Sequence, residues 1–458
     1  MAFRATLAQL SQIVAARPNR LSASAHAQIA QGVSTDTRAL HPGDVFIALQ
    51  GENFDGHQFV DQALEQGAIA AIVHRDRVNG DRKTASFPIV PVDNTLQAYQ
   101  SIAHWRRRQM GIPVIAVTGS VGKTTTKELI SAALSIHGRV LKTQANYNNE
   151  IGVPKTLLEL EDSHDYAVIE MGMRGPGEIA QLTEIAAPDV AVITNVGTAH
   201  IGRLGSEQAI ADAKCELLAK MPSTGVAVLN HDNPRLIATA ERVWSGRRLT
   251  YGLAGGDIQG KLLDACTLEV SGIALPLPLI GTHNALNYLA AIAVLEALKL
   301  DWRGLAAGVA VDLPAGRAQR YELANDILIL DETYNAGVES MTAALQLLAQ
   351  TPGLRHIAVL GEMKELGPRS AEFHYQVGQV VHQLQLDALF ILADPADADA
   401  LADGAAPLPS IQFNSHSTLI DHLKQVAQPG DRILFKASRA VELDKVADQL
   451  REHFTAQL

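Results

Sequence analysis

One stretch restricts the fold more than any other: Val114-Ile-Ala-Val-Thr-Gly-Ser-Val-Gly-Lys-Thr-Thr-Thr-Lys-Glu128. An apolar, β-branched run enters Gly119-Ser120-Val121-Gly122-Lys123-Thr124-Thr125, and a helical pattern over Thr124–Ile136 follows. A strand must therefore end, turn on glycines and start a helix within a few residues. Such a loop lets backbone N–H groups curl around phosphate oxygens. The helix N-terminus adds partial positive charge, Lys123 adds a full one, and Thr124 offers a hydroxyl to Mg²⁺. The usual pattern has a glycine five residues before Gly122, where this chain has Val117, so the loop is a shortened Gly-x-x-Gly-Lys-Thr. No Asn-Lys-x-Asp-type guanine reader follows, which favours ATP over GTP.

The rest of the chain has the alternation that such a loop demands. Around it, Val114–Val117, Ala167–Met171, Val190–Val196 and Val226–Leu229 read as strands, with a helix at Glu207–Lys220. This predicts a mostly parallel, doubly wound sheet covered on both faces. Before it, the helix-like Leu7, Leu10, Ile13, Val14 face and strands at Val45–Leu49 and Ala68–Val73 predict a small α/β domain. After Asp312-Leu-Pro-Ala-Gly316, read as a hinge, strands at Ile327–Leu330, His356–Leu360, Ala388–Leu392 and Ile433–Phe435 alternate with helical patterns in a Rossmann-like domain. The expectation is three α/β domains: 1–105, 106–313 and 314–458. The basic run Trp105-Arg106-Arg107-Arg108 reads as a solvated helix end before the second domain.

The 458 residues suit about three domains at ~150 residues each. An apolar fraction of 47% excludes a disordered chain, and a net charge of −11 argues against a broad nucleic-acid groove. Cys215 and Cys266 make no disulfide framework, so a cytoplasmic location is expected. A monomer is expected as well. The most apolar helical run, Tyr288–Leu300, is too short to span a membrane and carries Glu296 and Lys299. Gln9, Ser11 and Gln12 interrupt the place of a signal-peptide core.

In an open parallel sheet, ligands gather at the carboxyl ends of the strands. The phosphate loop, Glu170 and His200 each follow a strand, so one carboxylate and one imidazole are placed to meet a magnesium nucleotide. On residue type alone, Lys214 reads as a solvated helix lysine and Cys215 as a small buried residue without a redox role.

With these residues in view, the chain closely resembles the Mur ligases, ATP-dependent amide-forming enzymes of peptidoglycan synthesis. The resemblance spans essentially the whole chain. In the first domain it rests on Ser34-Thr-Asp-Thr-Arg38, Pro42–Phe46 and Gly51-Glu-Asn-Phe-Asp-Gly-His57. In the second it rests on the phosphate loop, Asn146–Pro154, Glu170–Glu178, Thr194–His200, Lys214 and Gly281-Thr-His-Asn-Ala-Leu-Asn287. In the third it rests on Asp331–Ala336 with Ser340, Gly361-Glu-Met-Lys-Glu-Leu-Gly367 and Lys436–Arg439. The Asn-Tyr-Asn-Asn and Gly-Glu-Met-Lys-Glu-Leu-Gly segments favour members that add D-alanyl-D-alanine to UDP-N-acetylmuramoyl-tripeptide.

The resemblance implies roles residue by residue. Thr37, Arg38, Asn53, Asp55 and His57, with Asn148 and Asn149, would hold the UDP-linked substrate. Gly119 to Thr125, Asn284, Asn287, Arg317, Asp331 and Asn335 would hold ATP. Lys123, Glu170, His200 and Lys214 would be catalytic. Thr124, Glu170, His200 and a carbamylated Lys214 would ligate two Mg²⁺ ions, and Arg174 is placed to meet an extra carboxylate on the peptide. Two other readings compete: a ligase of the same architecture adding an amino acid to a UDP-muramoyl peptide or glutamate to folate, and a nucleotide-regulated binding module without ligase activity.

Overall fold

A computed structural model describes residues 3–16, 22–52, 54–78 and 88–455. The N-terminal sheet has four parallel strands in chain order: Gly32–Ser34, Asp44–Ile47, Ala70–His74 and Ile89–Val92. Alternation divides its residues between two cores. Val45, Ile47 and Ile72 pack on Leu7, Leu10 and the Thr95–Gln109 helix through Ala98, Tyr99 and Ile102. Phe46, Ala71 and Val73 pack on Val60, Ala63 and Leu64 on the other face.

The central sheet has nine strands. From one edge its parallel part runs Val140–Lys142, Tyr166–Glu170, Val114–Thr118, Val190–Ile193, Val226–Asn230, Arg247–Gly252 and Ile258–Leu262. Two antiparallel strands, Thr267–Val270 and Ile273–Pro276, extend it. Every residue of Val114–Thr118 is buried, as a strand covered on both faces must be. Ala116 and Ile193 face one core, and Ile115, Val117 and Val192 face the Lys123–Leu134 and Thr282–Ala297 helices in the other. The chain leaves Val114–Thr118 toward one edge and later crosses to its other side, so this strand is the topological switch point where a ligand crevice opens.

The C-terminal sheet runs Gln319–Leu323, Ile327–Asp331, Asp431–Lys436, Arg355–Gly361, Ala388–Leu392 and Ser410–Phe413, antiparallel only at its first pair. Among the described residues no helix is long and apolar enough to cross a membrane.

The basic run corrects an expectation. Arg106 and Arg107 are each only 6% exposed. Arg106 donates to the Leu160 carbonyl through Nε at 3.1 Å. Arg107 donates to the Ala186 carbonyl at 3.0 Å and to Asp189 Oδ2 at 2.7 Å. Carbonyls left over at the end of the Glu178–Ala186 helix, with Asp189 beyond it, attract a guanidinium strongly enough to bury it. The Thr95–Gln109 helix therefore runs through position 105 and is fastened to the central domain.

Candidate active site

Gly122 caps the Lys123–Leu134 helix with φ 81°, a left-handed conformation that glycine adopts without strain. A Cβ there would also come within 2.8 Å of Asn287 Oδ1. At Gly119 a Cβ would overlap the Thr194 hydroxyl. The loop is held from the neighbouring strand end: Ser120 N–H donates to the Asn195 carbonyl and Val121 N–H to Asn195 Oδ1, both at 3.0 Å. Ser120 Oγ accepts from Gly197 N–H at 2.9 Å. Residue type alone gave no reason to single out Asn195.

Lys123 Nζ donates to its own loop, at 2.9 Å to the Gly119 carbonyl and 3.3 Å to that of Ser120. Burial lowers its pKa, opposed by Glu170 and reinforced by Arg317. Thr124 Oγ1 donates to Glu170 Oε2 at 2.9 Å, and Asn148 Nδ2 donates to Glu170 Oε1 at 2.8 Å. Thr143 Oγ1 accepts from the Glu170 N–H at 3.0 Å. The strands carrying the loop, Glu170 and the His200 segment are immediate neighbours in the sheet.

One cavity of about 750 Å³ gathers most of these groups. It is lined by Ser120 to Thr125, Asn148, Asn149, Glu170, Arg174, His200, Asn284 and Asn287 from the central domain, and by Arg317, Glu332, Tyr334, Asn335, Glu339 and Lys436 from the C-terminal domain. Asn287 Oδ1 accepts from Thr126 Oγ1 at 3.1 Å, locking the Thr282–Ala297 helix to the loop helix. The Arg317 guanidinium lies 3.8 Å over the Tyr334 ring, and its buried Nε has no hydrogen-bond partner among the described residues. Lys436 Nζ donates to the Asn335 carbonyl at 3.0 Å. Asp331 stays outside the cavity wall. Its carboxylate accepts from Thr333 N–H at 3.0 Å and Thr333 Oγ1 at 2.6 Å, bending the chain so that Glu332 and Tyr334 line the cavity instead.

Lys214 is 2% exposed and does not line the cavity. Its pKa falls well below the usual lysine value, first through burial and then through repulsion by Lys123. His200 is pulled below the ordinary imidazole value by burial, against the pull of Glu365. Among the described residues no three His, Cys, Asp or Glu side chains gather as a closed metal site.

The N-terminal residues lie apart from this cavity. Asp55 Oδ1 is 2.6 Å from His57 Nδ1, and His57 Nε2 accepts from His74 N–H at 2.9 Å. Both ring nitrogens of His57 are taken, so it shapes the loop. Arg38, forked onto Asp36 at 2.6 Å, is exposed, and Thr37 is half-buried beside it. Asn53 lies outside the described residues.

Comparison with known proteins agrees with this architecture. Residues 30–107 match the model described as Mur ligase family, catalytic domain, residues 117–295 match the Mur ligase middle domain, and residues 316–439 match the Mur ligase, glutamate ligase domain. The chain is 56% identical over 418 residues to a UDP-N-acetylmuramoyl-tripeptide–D-alanyl-D-alanine ligase of Synechocystis sp., covering 91% of each. A crystal structure of MurF from Acinetobacter baumannii superposes with a TM-score of 0.87 at 32% identity, covering 98% of this chain and 99% of that one. MurF from Thermotoga maritima in complex with ADP gives 0.82 at 31% identity, covering 93% and 98%. With the phosphate loop, the paired strand ends and all three domains accounted for, the chain belongs to the Mur ligase family.

Proposed function

We infer that the chain joins D-alanyl-D-alanine to UDP-N-acetylmuramoyl-tripeptide, at the expense of ATP, to give the pentapeptide nucleotide for peptidoglycan synthesis. The observation that carries this reading is the single cavity shared by the phosphate loop, Glu170 and His200 on one domain and Arg317, Asn335 and Lys436 on another.

A carboxylate needs a better leaving group before an amine can displace it in water. The terminal carboxylate of the tripeptide attacks the γ-phosphorus of ATP, giving an acyl phosphate and ADP; the dipeptide amine then attacks the acyl carbon and phosphate leaves. In our reading the loop amides and Lys123 hold the β- and γ-phosphates against the incoming carboxylate. Asn284, Asn287, Asn335 and Arg317 surround the adenosine end, and Arg317 Nε is a buried donor free for it. Thr124 and Glu170 would hold one Mg²⁺, and His200 with Lys214 a second. Bound there, Mg²⁺ would neutralise the charge that develops on the phosphates. Lys214 suits carbamylation because burial favours the neutral form of its amine, the form to which CO₂ adds. Thr37, Arg38 and Asp55, with Asn148 and Asn149, take the UDP-linked substrate, and the C-terminal domain covers the intermediate against hydrolysis. The first domain ends within the Thr95–Gln109 helix rather than at a break at 105, the central domain follows to 313 and the C-terminal domain takes 314–458, and the enzyme works as a cytoplasmic monomer.

Phosphate release that needs ATP, the tripeptide nucleotide and D-alanyl-D-alanine together tests the reading. Release in the absence of either other substrate contradicts it.

A further inference from the structure

Two carboxylates of the C-terminal domain converge on one short segment of the central domain. Glu339, in the first turn of the Val338–Gln350 helix, accepts from Thr198 N–H at 2.6 Å and from Thr198 Oγ1 at 3.1 Å. Glu365 Oε2 lies 2.5 Å from His200 Nδ1, off the axis of a hydrogen bond, and Glu365 Oε1 lies 3.4 Å from Arg203. The Glu365 carbonyl accepts from Gly202 N–H at 3.1 Å. The contacts fall on Thr198, His200, Gly202 and Arg203.

The backbone is specialised for this meeting. His200 has φ 67° and Glu365 φ 65°, left-handed conformations that cost a side-chain-bearing residue energy unless surrounding contacts hold them. The domains also touch backbone to backbone: a Cβ on Gly202 would lie 2.6 Å from Gly367 N and 2.8 Å from the Glu365 carbonyl. A carboxylate at Nδ1 favours the proton there and leaves Nε2 as the ring's free lone pair, the arrangement by which carboxylates orient imidazole ligands. One of the two carboxylates falls on the cavity-lining histidine itself, and the other holds the residue two positions before it.

We propose that Glu339 and Glu365 are positioning residues through which docking of the C-terminal domain fixes the tautomer and orientation of His200. The site is then complete only when that domain is seated, which ties the start of chemistry to closure over the substrates. This rests on the reading of His200 as a site residue.

The test uses the full-length, metal-free protein with ¹⁵N-labelled histidine at a pH where imidazoles are neutral, with the His200 signal assigned by its loss in His200→Ala. The wild type should show the Nδ1–H tautomer. Glu365→Ala should shift the signal toward the Nε2–H form and lower kcat by about 10–100-fold, with KM for the UDP-linked substrate unchanged. Glu365→Gln, which keeps an acceptor oxygen, should recover part of both. Gly202→Ala, which touches neither carboxylate, should reproduce the Glu365→Ala effects by holding the domains apart. A wild-type tautomer signal and wild-type kcat in Glu365→Ala overturn the proposal. Full activity in His200→Ala overturns the site reading beneath it, so the two failures are distinguishable.

Discussion

Two lysines, Lys123 half-buried in the cavity wall and Lys214 buried, do different work. Lys123 is held inside its own loop by the Gly119 and Ser120 carbonyls, bonds that a triphosphate oxygen can replace without moving the backbone. Lys123→Ala should lower acyl-phosphate formation by at least about 10²-fold, the scale for losing one donor aimed at developing charge. Binding of the UDP-linked substrate, measured by titration calorimetry, should be unchanged. Lys214 makes no hydrogen bond or salt bridge through Nζ among the described residues, and burial holds its pKa well below 10.5. Lys214→Ala should lose most activity and regain part of it with added short-chain carboxylic acids; loss without rescue counts against a carbamate. The same burial has a stability consequence. Between the folded pKa and 10.5 the unfolded chain binds a proton that the folded chain does not, so this lysine costs stability that is recovered as pH rises toward 10.5. Lys214→Met, without metal or nucleotide, should therefore unfold at higher urea than wild type at pH 7. That advantage should shrink by pH 10.

Strands and helices show where the sequence was informative. The loop, Glu170 and His200 were legible because each follows an apolar run, and apolar runs in a parallel sheet are strands whose ends share a rim. Val140–Lys142 escaped notice because an edge strand of three residues is only partly buried and leaves no long apolar run. The meander from Arg247 to Pro276 escaped because its half-exposed strands mix polar and apolar residues. Arg106 and Arg107 misled because charge predicts solvent, whereas their partners are carbonyls that no pattern in one chain reveals. Asn195, Glu339 and Glu365 act through contacts between distant segments, invisible to local spacing. Lys214 came only through resemblance, since nothing in a helix pattern marks one lysine as buried. Arg107→Ala should lower stability by about 2–4 kcal/mol in urea melts, because it strips donors from the Ala186 carbonyl and from Asp189 and loosens the Thr95–Gln109 helix.

Across the whole molecule, a chain of net charge −11 handles strongly anionic substrates. Its overall field repels them, so attraction is local: loop amides, Lys123, Arg317 and Lys436 around one cavity between two domains. In the proposed function, a UDP-holding domain, a phosphate-holding domain and a covering domain would separate recognition from chemistry. Accordingly, substitutions in the phosphate loop should change kcat while those at Arg38 or Asp55 change KM for the UDP-linked substrate. The central claim is that this architecture activates one carboxylate for one dipeptide. The most direct measurement is phosphate release from ATP with the tripeptide nucleotide and a panel of amine acceptors. D-alanyl-D-alanine should stimulate release far above single amino acids, glutamate included. Equal or greater stimulation by a single amino acid, or release that ignores the acceptor, would contradict the account.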